Sequence, residues 1–306
     1  MKLTFLGTGA GIPSKERNVS AIVLNTANAN NELWLFDCGE ATQHQILHTS
    51  LKPRKINKIF ITHLHGDHIF GLPGLISSRS FLGGDDTLTI YGPLGIKQFV
   101  ETSLQVTDTH LAYPIEFVEI TEATSIFEDD QFVVDVELLD HGVFSLAYRV
   151  TEKDKLGELH VQKLKDLGIK PGPIYREIKD NEQTRLEDDT ILYRKDFLGA
   201  DKKGKKLAIF GDTKYVPQQA SFIQDVDVVV HEATFSADKE DLAYKYNHST
   251  TKQAALSAKD ANVGALILTH ISSRYQKGDE AVLLEEAQTI FPNTFIAHDF
   301  YEYNIR

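Results

Sequence analysis

Short apolar runs alternate with polar stretches carrying Gly, Asp and Asn along most of this chain. Leu3–Leu6, Ala21–Leu24, Leu33–Phe36, Lys58–Thr62, Phe132–Leu139, Lys206–Phe210, Asp227–Val230 and Ala265–Thr269 have strand length. They are rich in Val, Ile, Leu and Phe, as buried strands are. Helical spacing of apolar residues runs through Ile69–Leu82, Ile96–Val106, Thr250–Asp260 and Glu280–Phe291. Strands and helices interleaved along the chain predict an α/β fold of sheets covered by helices. No repeat of solenoid type is present.

The pattern breaks between Thr151 and Lys206. That stretch is polar and charged, and Lys170-Pro171-Gly172-Pro173 within it excludes regular helix or central strand. It holds 14 Lys/Arg and 12 Asp/Glu, a net of +2, which leaves −14 for the rest of a chain whose total is −12. It reads either as a solvated surface excursion or as a basic-tipped arm that reaches a partner or polyanion. Lys202–Lys206 is its densest basic piece, and Lys52, Arg54, Lys55 and Lys58 form a second basic patch.

Composition narrows the class. The 306 residues are 42% hydrophobic and 25% charged, which excludes a disordered or fibrous chain. The acidic total argues against non-specific nucleic-acid binding over the whole surface, but local basic clusters escape that argument. Cys38 is the only cysteine, so no intrachain disulfide forms and a reducing compartment is expected. The start, MKLTFLGTGAG, lacks the apolar core of a signal peptide, and no run approaches the ~18 apolar residues of a membrane span. A soluble, cytoplasmic protein is the expectation. Gly7, Gly9 and Gly11 mimic a dinucleotide fingerprint, but GTGAGIPS lacks the helix that the fingerprint needs. No nucleotide cofactor is expected.

The strongest chemical signal is THLHGDH, Thr62 to His68, directly after an apolar strand. His63 and His65 are two apart and project to one side of an extended segment. Gly66 permits a turn that brings Asp67 and His68 to the same small volume. Imidazoles and a carboxylate in this grouping suit a borderline metal such as zinc. Three further strands end in a ligand: VELLD leads to His141, KLAIFG to Asp212 and ALILT to His270. Ligands at converging strand ends are where α/β folds build sites. His63, His65, His141 and Asp212 can therefore hold one ion. Asp67, His68, Asp212 and His270 can hold a second, with Asp212 bridging.

HLHGDH with the later His, Asp and His resembles the metallo-β-lactamase superfamily. Within it, the chain is similar to the ribonuclease Z family of tRNA 3′-processing endonucleases in its short form. Four features carry this: PSKERN (Pro13 to Asn18), PGPIY (Pro171 to Tyr175), HEAT (His231 to Thr234) and HST (His248 to Thr250). The resemblance covers essentially the whole chain. It implies a four-layer αβ/βα sandwich, 1–306, with residues 151–206 as an inserted flexible arm that binds tRNA. It implies a homodimer acting on precursor tRNA and two zinc ions per subunit, with manganese also suited. The expected products are a tRNA ending in a 3′-hydroxyl and a trailer with a 5′-phosphate.

The same resemblance, joined to position, suggests roles. Asp67 is the candidate proton acceptor for the attacking water. His248 is the candidate donor to the leaving ribose oxygen; it precedes a helix start where Thr250 and Gln253 are spaced as a capping box. Glu232 would orient His248. Capping alone for His248 and a structural place for Glu232 remain the alternatives. Lys15, Arg17, Asn18, Gly172 and Pro173 are the expected RNA contacts. A general metallo-hydrolase of the same fold would not need the excursion at 151–206, and a non-catalytic RNA-binding scaffold would not need all seven ligands.

Overall fold

The computed structural model describes residues 1–27 and 31–305, and two units make up the chain. The larger comprises Met1–Thr151 and Lys205–Arg306; the smaller is Glu152–Gly204.

The larger unit holds two seven-stranded sheets. In the first, Lys2–Gly7 pairs antiparallel with Glu302–Asn304 and with Ala21–Asn25, which pairs antiparallel with Leu33–Phe36. From there Ile56–Phe60, Leu88–Pro93 and Ile115–Ile120 continue in parallel. In the second, Lys206–Phe210, Val228–Glu232, Ala265–Thr269 and Thr294–Ile296 run parallel. Ser145–Glu152 is antiparallel to Lys206–Phe210, and Phe132–Leu139 and Thr124–Glu128 complete the edge.

Alternation along each strand explains the layers. Phe5, Trp34, Phe36 and Phe60 from the first sheet join Tyr148, Ile209, Val230 and Ile267 from the second in one buried cluster. Phe60 stacks on Phe36 at 4.9 Å and on Tyr91 at 4.8 Å between ring centroids. The opposite faces are apolar too. Leu35, Ile59 and Ile90 meet Leu72, Ile76, Ile96 and Val100 of the covering helices. Val229, Leu266 and Leu268 meet Ala254, Ala258, Leu283 and Ala287. Strands buried on both faces read as continuous apolar runs, which is why they are visible in the sequence. The result is a four-layer αβ/βα sandwich.

Two expectations shift. The helix expected over Ile69–Leu82 is two, Gly66–Ile69 and Leu72–Phe81, because Pro73 confines the second helix to begin beside it. The strand expected over Lys58–Thr62 is Ile56–Phe60, so Thr62 and the histidines after it lie beyond the ladder.

The smaller unit has helices Val161–Asp166 and Pro173–Asp180 and a hairpin of Gln183–Arg185 with Ile191–Tyr193. Leu164, Ile178, Leu192 and Phe197 form its own small core. Pro173 opens a helix, a position where its missing N–H costs nothing.

Thr151 and Lys206 face each other across an antiparallel pair. A two-residue Asn-Gly turn therefore fits between them in place of residues 152–205. The shortened chain should unfold in one cooperative transition, with a midpoint within about 5 °C of the native chain by circular dichroism. Loss of the cooperative transition would mean that the larger unit needs the smaller one to fold.

Candidate metal centre

Six functional side chains follow apolar strands or end one: Asp37, His63, His141, Asp212, Glu232 and His270. Hydrogen bonds between the two sheets bring these ends together. Leu146 N–H donates to Thr62 O at 3.0 Å and Tyr148 Oη to Ile61 O at 2.6 Å, while within the second sheet Ser145 Oγ donates to Asp212 O at 2.9 Å. Gly211 allows the approach, since a Cβ there would lie 2.6 Å from Thr62 Cβ. Asp37 and His270 adopt left-handed backbone, φ +55° and +56°, an unfavourable conformation by about 1–2 kcal/mol that the surrounding bonds hold in place.

Three groups of donor atoms result, each lying within 4.8 Å: His63, His65, His141 and Asp212; Asp67, His68 and His270; and Asp212, His248 and His270. In the first, His63 Nε2 lies 3.1 Å from His65 Nδ1, which lies 3.4 Å from His141 Nε2. Asp212 Oδ2 is 3.6 Å from His63 and 3.9 Å from His141. In the second, Asp67 Oδ2 is 3.5 Å from His68 Nε2 and 3.4 Å from His270 Nε2. Asp212 Oδ1 is 3.5 Å from His68 and 3.3 Å from His270. Ligands at ~2.0–2.1 Å on a tetrahedral zinc ion stand about 3.3 Å apart, so both donor sets have the chemistry and spacing of such sites.

The second nitrogen of four of these rings is committed elsewhere. His68 Nδ1 donates to Asp37 Oδ2 at 2.7 Å, and His141 Nδ1 to the Asn247 carbonyl at 2.8 Å. Thr62 Oγ1 donates to Asp37 and accepts from His63 Nδ1 at 3.0 Å. Thr234 Oγ1 donates to Glu232 Oε2 at 2.9 Å and accepts from His270 Nδ1 at 2.9 Å. These bonds leave the Nε2 atoms of four rings facing inward, the usual support for metal-binding imidazoles.

Electrostatics agrees. Burial, reinforced by the neighbouring rings, lowers the His63 pKa well below its ordinary value, and burial also lowers that of His141. Both rings are therefore neutral at pH 7, the form in which an imidazole can ligate a metal. His68 goes the other way. Burial opposes its charge, but Asp37, Asp212 and Asp67 outweigh burial and raise its pKa to about 10. The carboxylates thus call for positive charge at this spot. Asp67 is held well below the carboxylate range: burial works against its charge, and His270, His68 and the Gly11 N–H overcome it.

His248 stands beside both groups. Its Nδ1 lies 3.0 Å from Glu232 Oε1 and 3.8 Å from Asp212 Oδ2. Burial disfavours the imidazolium, but Glu232 and then Asp212 outweigh it and raise the pKa to about 9. Glu232 is buried and also accepts from the backbone N–H of Thr213, Thr234 and Ser249. The expected capping box on the next helix forms, Thr250 with Gln253, so His248 does not itself supply that cap. His231 is buried and stacks on Phe210 at 4.6 Å, away from the donor groups.

The loop Pro13–Asn18 departs from expectation at one residue. Lys15 is exposed, but Arg17 is buried and its guanidinium is held by three partners. It donates to Thr8 Oγ1 and Ala297 O, both at 2.6 Å, and pairs with Glu280 at 2.7 Å. Arg17 therefore anchors the loop instead of presenting charge to a phosphate. Asn18 N–H donates to Asp299 at 2.7 Å and its side chain to Glu40 O at 2.9 Å. The anchored loop sends Gly11 N–H to Asp67 Oδ2 at 2.8 Å. Gly172 and Pro173 belong to the smaller unit, at the start of its helix Pro173–Asp180.

The residues not found by sequence reasoning are Asp37, Thr62 and Thr234 as partners of ligands, and Asp299 under the loop. Asp37 carried a usable signal, because it ends the strand LWLF just as Asp212 follows KLAIF.

A family model described as a β-lactamase superfamily domain matches residues 169–271, and one described as the anti-Pycsar protein Apyc1 matches residues 1–134. The chain is 59% identical over 306 residues to the ribonuclease Z of Oceanobacillus iheyensis, with 100% of both chains covered. It is 58% identical over 299 residues to that of Bacillus cereus, covering 98% of this chain and 97% of the relative. Among solved structures it is similar to human tRNase Z, short form, with a TM-score of 0.72 and 30% identity over 100% of both chains. A long-form RNase Z from yeast shares the fold, at a TM-score of 0.67 and 17% identity, over 99% of this chain and 42% of that one.

Asp37→Asn keeps the size of the side chain and removes the charge that faces His68 Nδ1. Zinc affinity at the second donor group should fall roughly 10- to 100-fold, read by competition with a chromophoric chelator. An unchanged affinity would remove Asp37 from the support of this site.

Proposed function

The chain belongs to the ribonuclease Z family of the metallo-β-lactamase superfamily, and we infer that it removes 3′ trailers from precursor tRNA as a metal-dependent endoribonuclease. The reaction is hydrolysis. Water oxygen bonds to phosphorus, the bond from phosphorus to the ribose 3′-oxygen breaks, and that oxygen takes a proton. The tRNA then ends in a 3′-hydroxyl and the trailer begins with a 5′-phosphate.

The observation that carries this reading is Asp212, whose two oxygens face two separate donor groups. His63, His65, His141 and Asp212 would hold one ion; Asp67, His68, Asp212 and His270 would hold the other. Zinc suits both sets, and manganese is also compatible. Two such ions, when bound, acidify water and neutralise charge on the phosphate. Asp67 accepts the proton of the attacking water: its carboxylate is ionised, and the Gly11 N–H fixes one oxygen. His248 donates to the departing 3′-oxygen, a poor leaving group that needs a proton. It is charged at neutral pH because Glu232 lies against it, and it lines a cavity of about 510 Å3 with His65 and His141.

Lys15 contacts RNA phosphate near the cut from the exposed side of its loop. Residues 152–204, with Gly172 and Pro173 at a helix start, form the arm that grips the folded part of tRNA, mainly by shape and backbone. The protein acts as a homodimer. Support comes from Leu47, Phe81 and Leu82, large exposed apolar residues at the ends of two helices that pack on each other. No helix among the described residues is long and apolar enough to cross a membrane, and we assign the protein to the cytoplasm.

Incubation with a 3′-extended precursor tRNA and zinc should give a cut just after the discriminator nucleotide, and EDTA should abolish it. Asp67→Ala should lower cleavage by at least about 100-fold while precursor binding is retained. A metal-independent cut, or full activity in Asp67→Ala, would sink the mechanism.

The pH profile tests His248. A donor with a pKa near 9 is active below that pH and lost above it. Glu232→Gln removes the charge that favours the imidazolium, so the alkaline fall in kcat should move to a pH lower by about 1–3. An unmoved alkaline limb would free Glu232 and His248 of this role.

A further inference from the structure

Three aromatic rings lie near the donor groups in the larger unit, and each carries a cation over its face. Lys214 Nζ stands 5.0 Å from the ring centroid of Tyr244, Lys245 Nζ 5.4 Å from Tyr246, and Arg274 Cζ 4.8 Å from Phe235. All are tied to the site by the chain. Lys214 comes two residues after Asp212, Tyr246 two before His248, and Arg274 four after His270. Tyr246, Phe235 and Arg274 line the same cavity as His65, His141 and His248.

Their exposure is unusual for rings. Tyr244 is 72% and Tyr246 51% accessible, whereas Phe235 is buried and nearly parallel to Tyr246, at 20° with centroids 6.4 Å apart. An exposed phenol covered only by the flexible side chain of Lys245 has a face to offer once that lysine turns to a phosphate. Three cations grouped on a chain of net charge −12 are also a local exception. Exposed aromatic faces alternating with Lys and Arg are what unpaired RNA requires. Each base has a π-face to stack, each phosphate needs a counter-charge, and the combination tolerates any sequence.

Building on the tRNA-processing reading above, we propose that Tyr246, over Phe235, is a stacking platform for an unpaired base flanking the scissile phosphate. Lys245 and Arg274 hold the adjoining phosphates, and Tyr244 with Lys214 extends the track outward. The subsite positions the single strand by stacking and charge, a combination that tolerates any sequence. Lys214 also lies 3.8 Å from Asp140, so its charge is shared and the weight of the track falls on Lys245 and Arg274.

The test uses zinc-loaded full-length protein and precursor tRNA carrying 2-aminopurine at either nucleotide flanking the cut. Stopped-flow fluorescence reports stacking on mixing, and a gel of the same reaction reports cleavage. At one of the two positions the native chain and Tyr246→Phe should quench the fluorescence, and Tyr246→Leu should not. The precursor Kd of Tyr246→Leu should rise about 5- to 100-fold, with Tyr246→Phe close to native. Lys245→Gln and Arg274→Gln should each flatten the slope of log Kd against log salt by about 0.7. Equal quenching by Tyr246→Leu and the native chain would overturn the platform, and unchanged salt slopes would overturn the phosphate contacts. The two readings fail separately. Quenching without cleavage would keep the platform and sink the nuclease; cleavage with Tyr246-independent quenching would do the reverse.

Discussion

Asp212 is buried, and its two oxygens face opposite neighbours: Oδ2 toward His63 and His141, Oδ1 toward His68 and His270. Around it, burial makes an imidazolium unfavourable at His63 and His141, while adjacent carboxylates favour one at His68. Lone pairs converge from one side and negative charge from the other. Such a cluster is satisfied by cations between the rings, and the fold of the larger unit serves to hold that cluster in register.

Two sheets can hold it because their strands deliver ligands at the same rim. Parallel strands put their carboxyl ends together, and the bonds from Leu146 and Tyr148 lock the rim of one sheet to that of the other. The rings of Trp34, Phe36, Phe60 and Tyr91 fill the space behind. Orientation is then fixed one bond further out. Thr62 and Thr234 each spend their single hydroxyl proton on a carboxylate, which obliges them to accept from a histidine. The N-terminal loop joins the same network. Arg17, Glu280 and Asp299 tie it down, and it in turn supplies the Gly11 N–H that Asp67 accepts.

Much of this was legible before any coordinates. The strands are continuous apolar runs because helices cover their outer faces, so their positions show in composition alone. The seven candidate ligands were legible as candidates because each lies on or just after such a run, and THLHGDH concentrates four of them in one turn. What escaped was of a different kind. The break at Phe70–Gly71 is a local conflict between helical periodicity and Pro73. Asp37 looks like any aspartate after a strand until His68 is seen against it. Arg17 looks like a phosphate contact until it is found buried on Glu280, because a charged residue in a loop gives no sign of which way it points.

The sequence by itself determined the element order, the donor types and the interruption at 151–206, since periodicity, ligand chemistry and proline are local properties. Tertiary structure alone decided which oxygen of Asp212 serves which group, which nitrogen of each histidine is free, and that Tyr246 and Arg274 share a cavity with His248. Most of these are relations between residues tens to hundreds of positions apart. A hydrogen bond or a ring contact depends on distance and angle in space, and no spacing along the chain encodes either.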